Sequence, residues 1–94
     1  MKNIKRRDKM KIYGDLLSAL RTEYRGEPEK IVLTRVQMRV NVPFDRLKKY
    51  ITELVNLNLI QDETSLKLTK KGRSYLEEYK KVLDFMKRMG LSYR

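Results

Sequence analysis

Apolar residues recur at three- and four-residue spacing in four stretches of the chain, and this period predicts amphipathic helices. In the third stretch, Phe44, Leu47 and Ile51 share one face, whereas Arg46 and Lys49 fall on the opposite face. The four predicted helices cover residues 8–24, 34–40, 43–57 and 70–89.

Residues with well-known capping preferences stand at the ends of these helices. Thr34 and Thr69 are placed as N-caps, because a threonine hydroxyl can accept a hydrogen bond from a first-turn N–H group. Pro43 is tolerated in a first turn, where its missing N–H would have no partner. Asn58 and Gly90 follow the third and fourth helices and suit the left-handed conformation that ends a helix.

Between the helices, short stretches indicate strands. The sequence RGEP at 25–28 ends the first helix, and KIVL at 30–33 then predicts a short strand. Farther along, LIQD at 59–62 and LKLT at 66–69 alternate around the polar tip ETS at 63–65, which predicts a β-hairpin. The fold class is therefore mainly α with a small β-hairpin, in the order of a winged helix-turn-helix followed by a long C-terminal helix.

A family resemblance rests on two sequences, TRVQMRVNVPFDRLKKYITELVNLNLI at 34–60 and LKLTKKGRSYL at 66–76. They resemble the archaeal winged-helix DNA-binding proteins, in which a Leu-Thr-x-x-Gly element starts the final helix. The chain is most similar to the small chromatin-type members. This resemblance covers about residues 9–89. It implies double-stranded DNA as the partner and a homodimer formed through a long antiparallel C-terminal coiled coil.

Two features depart from that family pattern. Pro43 precedes the third helix, at a position that is usually polar and often serine. The tip of the predicted wing is acidic, with Asp62 and Glu63 where a DNA-inserting wing would carry arginine or lysine. We therefore do not expect this wing to insert deeply into a minor groove.

Charge and composition narrow the function further. Lysine and arginine number 23 against 12 aspartates and glutamates, which gives a formal net charge of +11. This excess favours a nucleic-acid partner over a merely solvated surface. Cysteine and histidine are absent, which excludes a disulfide framework, a thiolate metal site and the commonest general base. The four glycines are isolated, so no phosphate-cradling loop is present. Since these chemical groups are missing, we expect no enzymatic activity, no metal and no cofactor.

The cellular location follows from the apolar runs. None of them approaches the ~18 residues that indicate a membrane span, and the basic N-terminus lacks the apolar segment of a secretory signal. We expect a cytoplasmic protein associated with the nucleoid and making no membrane contact. The high charge and the lack of cysteine are typical of thermophile proteins.

Candidate DNA contacts follow from helix-turn-helix geometry, in which the second helix enters the major groove. Arg46 could pair with guanine, and Lys49 could reach a base or a phosphate. Arg35 and Arg39 precede that helix and suit the backbone, as does Lys67 on the wing. The full predicted set is Arg35, Arg39, Asp45, Arg46, Lys48, Lys49 and Lys67, with Lys5, Arg6 and Arg7 of the N-terminal arm.

Several of these assignments have alternatives. Asp45 could read a cytosine amino group, cap its helix, or pair with Arg46 or Lys49. Each exposed cation could equally be a solubilising charge. The arm could follow a DNA groove or be a disordered solubilising end.

The last predicted helix is longer than a winged-helix core requires. Leu76, Tyr79, Leu83 and Met86 keep the spacing of a coiled-coil seam. The alternative is that this helix folds back over the first helix. The predicted dimerisation residues are Tyr75, Leu76, Tyr79, Val82, Leu83, Met86 and Met89.

These expectations divide the chain into four parts. They are a basic N-terminal arm (1–7), a winged-helix DNA-binding domain (8–69), a dimerisation helix (70–89) and a tail (90–94). The predicted function is low-specificity binding of double-stranded DNA by a dimer, as in an architectural chromatin protein. The alternatives are a sequence-specific transcriptional regulator and a protein-interaction winged helix within a larger assembly.

Overall fold

Four helices make up most of the described chain. The computed structural model describes residues 3–26 and 31–91, with the side chains of 9–24 and 31–91. In chain order the helices are α1 (Asn3–Gly26), α2 (Leu33–Val40), α3 (Phe44–Asn56) and α4 (Lys70–Arg88). The prediction of a mainly α chain is therefore confirmed.

The predicted start of the first helix at residue 8 is wrong, because the backbone is already helical from Asn3, whereas the role of residues 1–7 as a basic arm stays a prediction. α1 begins at Asn3, so it includes residues that were expected to precede the helix. Lysine and arginine are good helix formers, and this stretch contains no glycine or proline that would interrupt the helix. The side chains of Lys5, Arg6 and Arg7 lie outside those described, so their DNA contacts stay a prediction.

The strand predicted over 30–33 is also wrong where the structure describes it. The chain is irregular immediately before Leu33, where α2 already begins. Val32 is the N-cap, and its carbonyl oxygen accepts a hydrogen bond from the Val36 N–H at 3.3 Å. Thr34, predicted as the cap, lies inside the helix. The earlier start places Leu33 against the core together with the buried Val36.

In place of the predicted hairpin, the wing contains one antiparallel β-bridge, between Ile60 and Leu68. Beside it, the Gln61 N–H donates a hydrogen bond of 2.8 Å to the Lys67 carbonyl oxygen. Leu66 adopts a left-handed backbone conformation with φ of 57°, which breaks the alternation that a regular strand requires. Leu66 and Leu68 are both buried, so the wing is held by its apolar side chains more than by a hydrogen-bonded ladder.

The predicted ends of α3 and α4 are confirmed. Asn58 and Gly90 follow these helices with φ of 63° and 75°. After α3, the Leu59 N–H donates a hydrogen bond of 2.8 Å to the Leu54 carbonyl oxygen, and an equivalent bond closes α4. Each bond runs from the N–H that follows the left-handed residue to the carbonyl oxygen five residues earlier. This hydrogen bond is characteristic of the Schellman motif, in which a left-handed residue ends the helix.

The LTKKG element joins the start of α4 to the end of α3. The Thr69 hydroxyl accepts a hydrogen bond of 3.0 Å from the Gly72 N–H, which confirms the predicted N-cap. The same hydroxyl donates to the Asn58 carbonyl oxygen at 2.6 Å. A Cβ atom on Gly72 would overlap the Leu59 carbonyl oxygen. Glycine suits position 72 because the backbones approach closely there, and threonine suits position 69 because its hydroxyl bonds both segments.

A leucine-rich core holds the helices together. α1 lies at its centre and packs against both α2 and α4. Full burial of one such side chain contributes about 1.5–3 kcal/mol, so a core of this size can hold a small domain. The largest fully buried side chains are Leu16, Leu17, Leu20, Val36, Leu47, Leu54, Ile60 and Leu76.

The first half of α4 packs on α1, which corrects part of the predicted dimer seam. Leu76 and Tyr79 are buried within the chain itself. A Cβ atom on Gly14 would overlap the Tyr79 ring, so α1 and α4 meet at this glycine. The Tyr75 hydroxyl also donates to the Met10 carbonyl oxygen at 2.9 Å. For this half of α4, the alternative of a helix folded back over the first helix is correct.

Candidate nucleic-acid interface

The two faces of α3 differ in burial and in charge. Leu47, Ile51 and Leu54 are buried and fix the helix on the core. On the other face, Arg46 and Lys49 are exposed and carry their charges to the surface. The sequence produces this division because apolar residues repeat at helical spacing while the cations fall between them.

The exposed cations of α3 have no acidic partner among the described side chains. This holds for Arg46, Lys48 and Lys49. The Lys48 ammonium lies 6.0 Å from the centre of the Phe44 ring, at the outer limit of a cation–π contact. Three uncompensated positive charges within two turns of one helix create a local potential that attracts phosphate.

Asp45 lies in the first turn of α3 and is exposed. Among the described contacts it makes no ion pair with Arg46 or Lys49, so the pairing alternative is not realised there. A carboxylate at this position interacts favourably with the positive end of the helix dipole. Its proposed contact with DNA stays a prediction.

Arg35 and Arg39 have a structural partner that sequence reasoning missed. The Arg39 Nε donates a hydrogen bond of 2.7 Å to Glu23 Oε2, and Arg35 Nη1 lies 3.5 Å from Glu23 Oε1. Glu23 belongs to α1 and is 7% exposed. The hydrogen bond from Arg39 holds the pKa of this carboxyl below its ordinary value, against the opposing effect of burial. A signal was present, because Glu23 follows Leu16 and Leu20 on the inner stripe of α1.

Both arginines nevertheless keep about half of their side-chain surface exposed, at 54% for Arg35 and 50% for Arg39. Both contact the Glu23 carboxylate, which compensates part of their charge. The two arginines therefore attach α2 to α1 and also leave cationic side-chain surface exposed.

The wing also contributes a cation, whereas its acidic tip has a structural role. Lys67 is exposed, and its ammonium lies 5.9 Å from the centre of the Tyr24 ring. At the tip, Asp62 Oδ1 accepts hydrogen bonds from the N–H groups of Ser65 at 2.7 Å and Thr64 at 2.8 Å. These bonds lower the pKa of Asp62. The carboxylate thus forms the turn, which gives a physical reason for acid at the tip.

A second contact that the sequence did not reveal joins α1 to α3. The Tyr13 hydroxyl donates a short hydrogen bond to Glu53, and the Lys9 ammonium lies 3.5 Å from the same carboxylate. Burial, and then the hydrogen bond to Glu53, raise the pKa of Tyr13 above its ordinary value. Since Glu53 is occupied in this way, it does not compensate the cations on the outer face of α3.

The second half of α4 presents apolar side chains at the surface. Phe85 is 51% exposed and Met89 is 57% exposed, and both lie beyond the part of the helix that packs on α1. Two open cavities lie along α4. One of about 320 Å³, beside its first half, includes Met10, Tyr75 and Val82, and one of about 330 Å³, beside its second half, includes Leu83, Met86 and Leu91. Predicted seam residues thus line a cavity beside each half of the helix.

The described residues include no helix that is both long enough and apolar enough to cross a bilayer. They also contain no group of three or more acidic, histidine or cysteine side chains that could hold a metal ion.

Comparison with known proteins gives one match. A family model described as a winged helix-turn-helix matches residues 6–87, a range that includes α2, α3 and most of α1 and α4. No curated protein and no solved structure matches the chain.

Proposed function

The chain belongs to the winged helix-turn-helix family, and on this basis we propose that it binds double-stranded DNA with α3 in the major groove. One observation supports the proposal most strongly. Arg46, Lys48 and Lys49 project from the exposed side of α3 and have no acidic partner among the described side chains. An anionic ligand would relieve the mutual repulsion of these charges.

We propose further that phosphate contacts supply most of the affinity and that sequence preference is low. Arg46 is the one arginine of α3, and arginine is the side chain best suited to a bidentate contact with guanine. Lys48 and Lys49 act as point charges, which bind phosphate without reading sequence. Arg35 and Arg39 contact Glu23 but keep about half of their side-chain surface exposed, which supports a proposed role as phosphate contacts beside the groove.

The second half of α4 supports a homodimer as a further part of the proposal. Its exposed apolar side chains continue directly from the packed half of the same helix. A contiguous apolar surface of this kind is disfavoured in water and is typical of an interface. The proposed seam contains Val82, Leu83, Met86 and Met89, but not the buried Leu76 and Tyr79.

A dimer would give the protein an architectural role at the nucleoid. Once one DNA-binding head of the dimer has bound, the second head is held near the DNA at an effective concentration set by the separation of the two heads. Its binding is therefore favoured without any new contact. Heads held at the two ends of an α4 pair could bridge or stiffen DNA. Broad, weakly selective binding would then suffice for function.

A titration of a random-sequence duplex, followed by fluorescence anisotropy, tests the proposal. The variant Arg46→Gln/Lys49→Gln is compared with Lys80→Gln/Lys81→Gln, which removes the same charge from exposed positions on α4. We expect the α3 variant to bind at least about tenfold more weakly, since each lost charged contact is worth more than 1 kcal/mol. The α4 variant should bind nearly as the wild type does. Equal losses in the two variants would show a net-charge effect and contradict a role for α3.

The sequence-specific alternative makes a different prediction for the same assay. A regulator prefers its operator over random DNA by about 10³-fold or more, whereas an architectural protein shows a small ratio. Selection of duplexes from a random pool therefore separates the two functions. Recovery of one enriched motif would favour the regulator, with Arg46 as the residue most suited to read a guanine.

A further inference from the structure

Phe44 is an aromatic side chain that the core leaves at the surface. It is the first residue of α3, and helical spacing groups it with Leu47 and Ile51. Leu47 and Ile51 are buried, whereas Phe44 is 40% exposed. Val42, which precedes the helix, also packs against the core. The chain therefore buries the apolar side chains before and after Phe44 and leaves this ring accessible.

The surroundings of Phe44 are mainly cationic. The Lys48 ammonium lies over the ring, 6.0 Å from its centre. Arg46 and Lys49 belong to the same first two turns of α3, and none of these three cations has an acidic partner among the described side chains. Asp45 is the one carboxylate in these two turns. The ring is thus an apolar contact within a surface of net positive charge.

Leu57 provides a comparison at the other end of the same helix. It is the C-cap residue of α3 and is 42% exposed, nearly as much as Phe44. Its carbonyl oxygen accepts a hydrogen bond of 2.8 Å from the Lys71 ammonium, so this end of α3 lies beside α4. The two residues therefore match in exposure and differ in the end of α3 at which they lie.

The surface around Phe44 suits a partner that presents apolar groups next to negative charge. In the major groove of DNA, the C5-methyl group of thymine is such a group, and phenylalanine is among the side chains that contact it. In a helix-turn-helix, the N-terminal residues of the second helix reach the base edges. Phe44 is the first residue of that helix.

We propose that Phe44 contacts the methyl group of thymine when α3 lies in the major groove. This inference rests on the proposed function and deepens it, because it names a base to which a weakly selective surface responds. A phosphate bound by Lys48 would bring the neighbouring ring to the edge of the groove. Since phosphate contacts supply most of the affinity, the methyl contact adds a modest preference for A·T pairs.

Fluorescence anisotropy with two alternating A·T duplexes at fixed salt tests the proposal. In the second duplex, deoxyuridine replaces every thymidine, which removes only the methyl groups. We expect the wild type to bind the thymine duplex about fourfold more tightly, the gain from burying one methyl-sized apolar group. Phe44→Ala should bind the two duplexes alike. Phe44→Leu, which keeps an apolar side chain, should retain most of the ratio.

Leu57→Ala is the matched control, because it removes an equally exposed apolar side chain from the other end of α3. It should keep the fourfold ratio. Removal of methyl groups also changes the stiffness of DNA, so a G·C duplex containing 5-methylcytosine provides a second measurement. The wild type should bind this duplex more tightly than the unmethylated one, and Phe44→Ala should show no such gain. Thermal unfolding checks that each variant folds.

The possible failures are distinguishable. Equal affinity of the wild type for the thymine and uracil duplexes would overturn the proposal and leave the proposed function intact, since DNA is still bound. A ratio that persists in Phe44→Ala would assign the methyl contact to another residue and would also overturn the proposal. Failure of the wild type to bind either duplex would overturn the proposed function and this inference with it.

Discussion

Arg39 Nε lies 2.7 Å from Glu23 Oε2 and donates a hydrogen bond to a carboxylate that belongs to the inner surface of α1. The pair joins α2, the first helix of the helix-turn-helix, to the centre of the core. Arg39, which we propose as a DNA contact, therefore also holds α2 on α1. Loss of this pair would disturb the orientation of α2 before it changed any contact with phosphate.

The Glu23 carboxylate predicts a stability change in acid. Its pKa is lower in the folded chain, so ionised Glu23 stabilises the fold above the unfolded pKa of about 4.3. That contribution is lost as the pH falls through the folded pKa. As the pH falls from above the unfolded pKa to below the folded pKa of Glu23, the free energy of unfolding measured in urea should decrease less for Glu23→Gln than for the wild type. Glu78→Gln, at an exposed surface pair, is the control, and parallel curves for wild type and Glu23→Gln would contradict the prediction.

Gly14 makes a prediction of unusual sign. Replacing a mid-helix glycine by alanine ordinarily stabilises a helix by roughly 0.5–1 kcal/mol. Here the new Cβ would overlap the buried Tyr79 ring, so we expect Gly14→Ala to destabilise by about 1–3 kcal/mol, as overpacking does. Denaturant unfolding measures the change, with Ser18→Ala on the exposed side of α1 as the control. Stabilisation by Gly14→Ala would show that α4 does not press on α1 at this point.

The hydroxyl of Thr69 should matter more than its methyl group. It caps α4 through the Gly72 N–H and also bonds the Asn58 carbonyl oxygen. Thr69→Val keeps the shape and removes both bonds, which should cost about 1–2 kcal/mol. Thr69→Ser keeps the hydroxyl and should stay close to the wild type. Thermal unfolding of the two variants checks this order, and equal losses would assign the effect to packing.

The proposed dimer seam predicts a change in mass. Leu83→Glu places a charge within the proposed seam, where burial of an unpaired charge is costly. We expect sedimentation equilibrium to give twice the chain mass for the wild type and the mass of one chain for Leu83→Glu. Lys80→Glu, on the polar surface, is the control for added negative charge. A wild type that sediments as one chain at all accessible concentrations would remove the seam.

Much of the helical framework could be predicted from local signals. The apolar period located all four helices, and Thr69, Asn58 and Gly90 each end or begin a helix through their own backbone or hydroxyl chemistry. Such signals lie within a few residues of the feature they determine. Element boundaries based on them were accordingly within one residue of those observed for α4 and for the end of α3.

The predictions that were wrong concern the strand and the hairpin, which packing and competing hydrogen bonds decide. KIVL has the composition of a strand, but its last residue begins α2 because Leu33 and Val36 both pack on the core. The hairpin is reduced to one bridge because Asp62 and Leu66 turn the chain through local geometry of their own. Neither outcome follows from propensity, since both are decided by packing and by competing hydrogen bonds.

The candidate site shows the same division. Exposure of Arg46 and Lys49 follows from helical spacing, so the sequence was sufficient to place these cations on the outer face of α3. The Glu23 partnership of Arg35 and Arg39 joins residues of different helices and could not be derived from the order of elements. The buried positions of Leu76 and Tyr79 likewise depend on how α4 crosses α1. The coiled-coil spacing of apolar residues on α4 does not distinguish packing against a second chain from packing against α1 of the same chain.

The most direct test of DNA binding through basic side chains is the salt dependence of affinity for a random-sequence duplex. Each neutralised phosphate contributes a slope of about −0.9 to log K against log salt, so about five contacts per subunit predict a slope between about −4 and −5 per subunit. The Arg46→Gln/Lys49→Gln variant should give a slope less steep by about 0.9 for each of the two side chains that neutralises a phosphate. A wild-type affinity that does not change with salt would contradict the account.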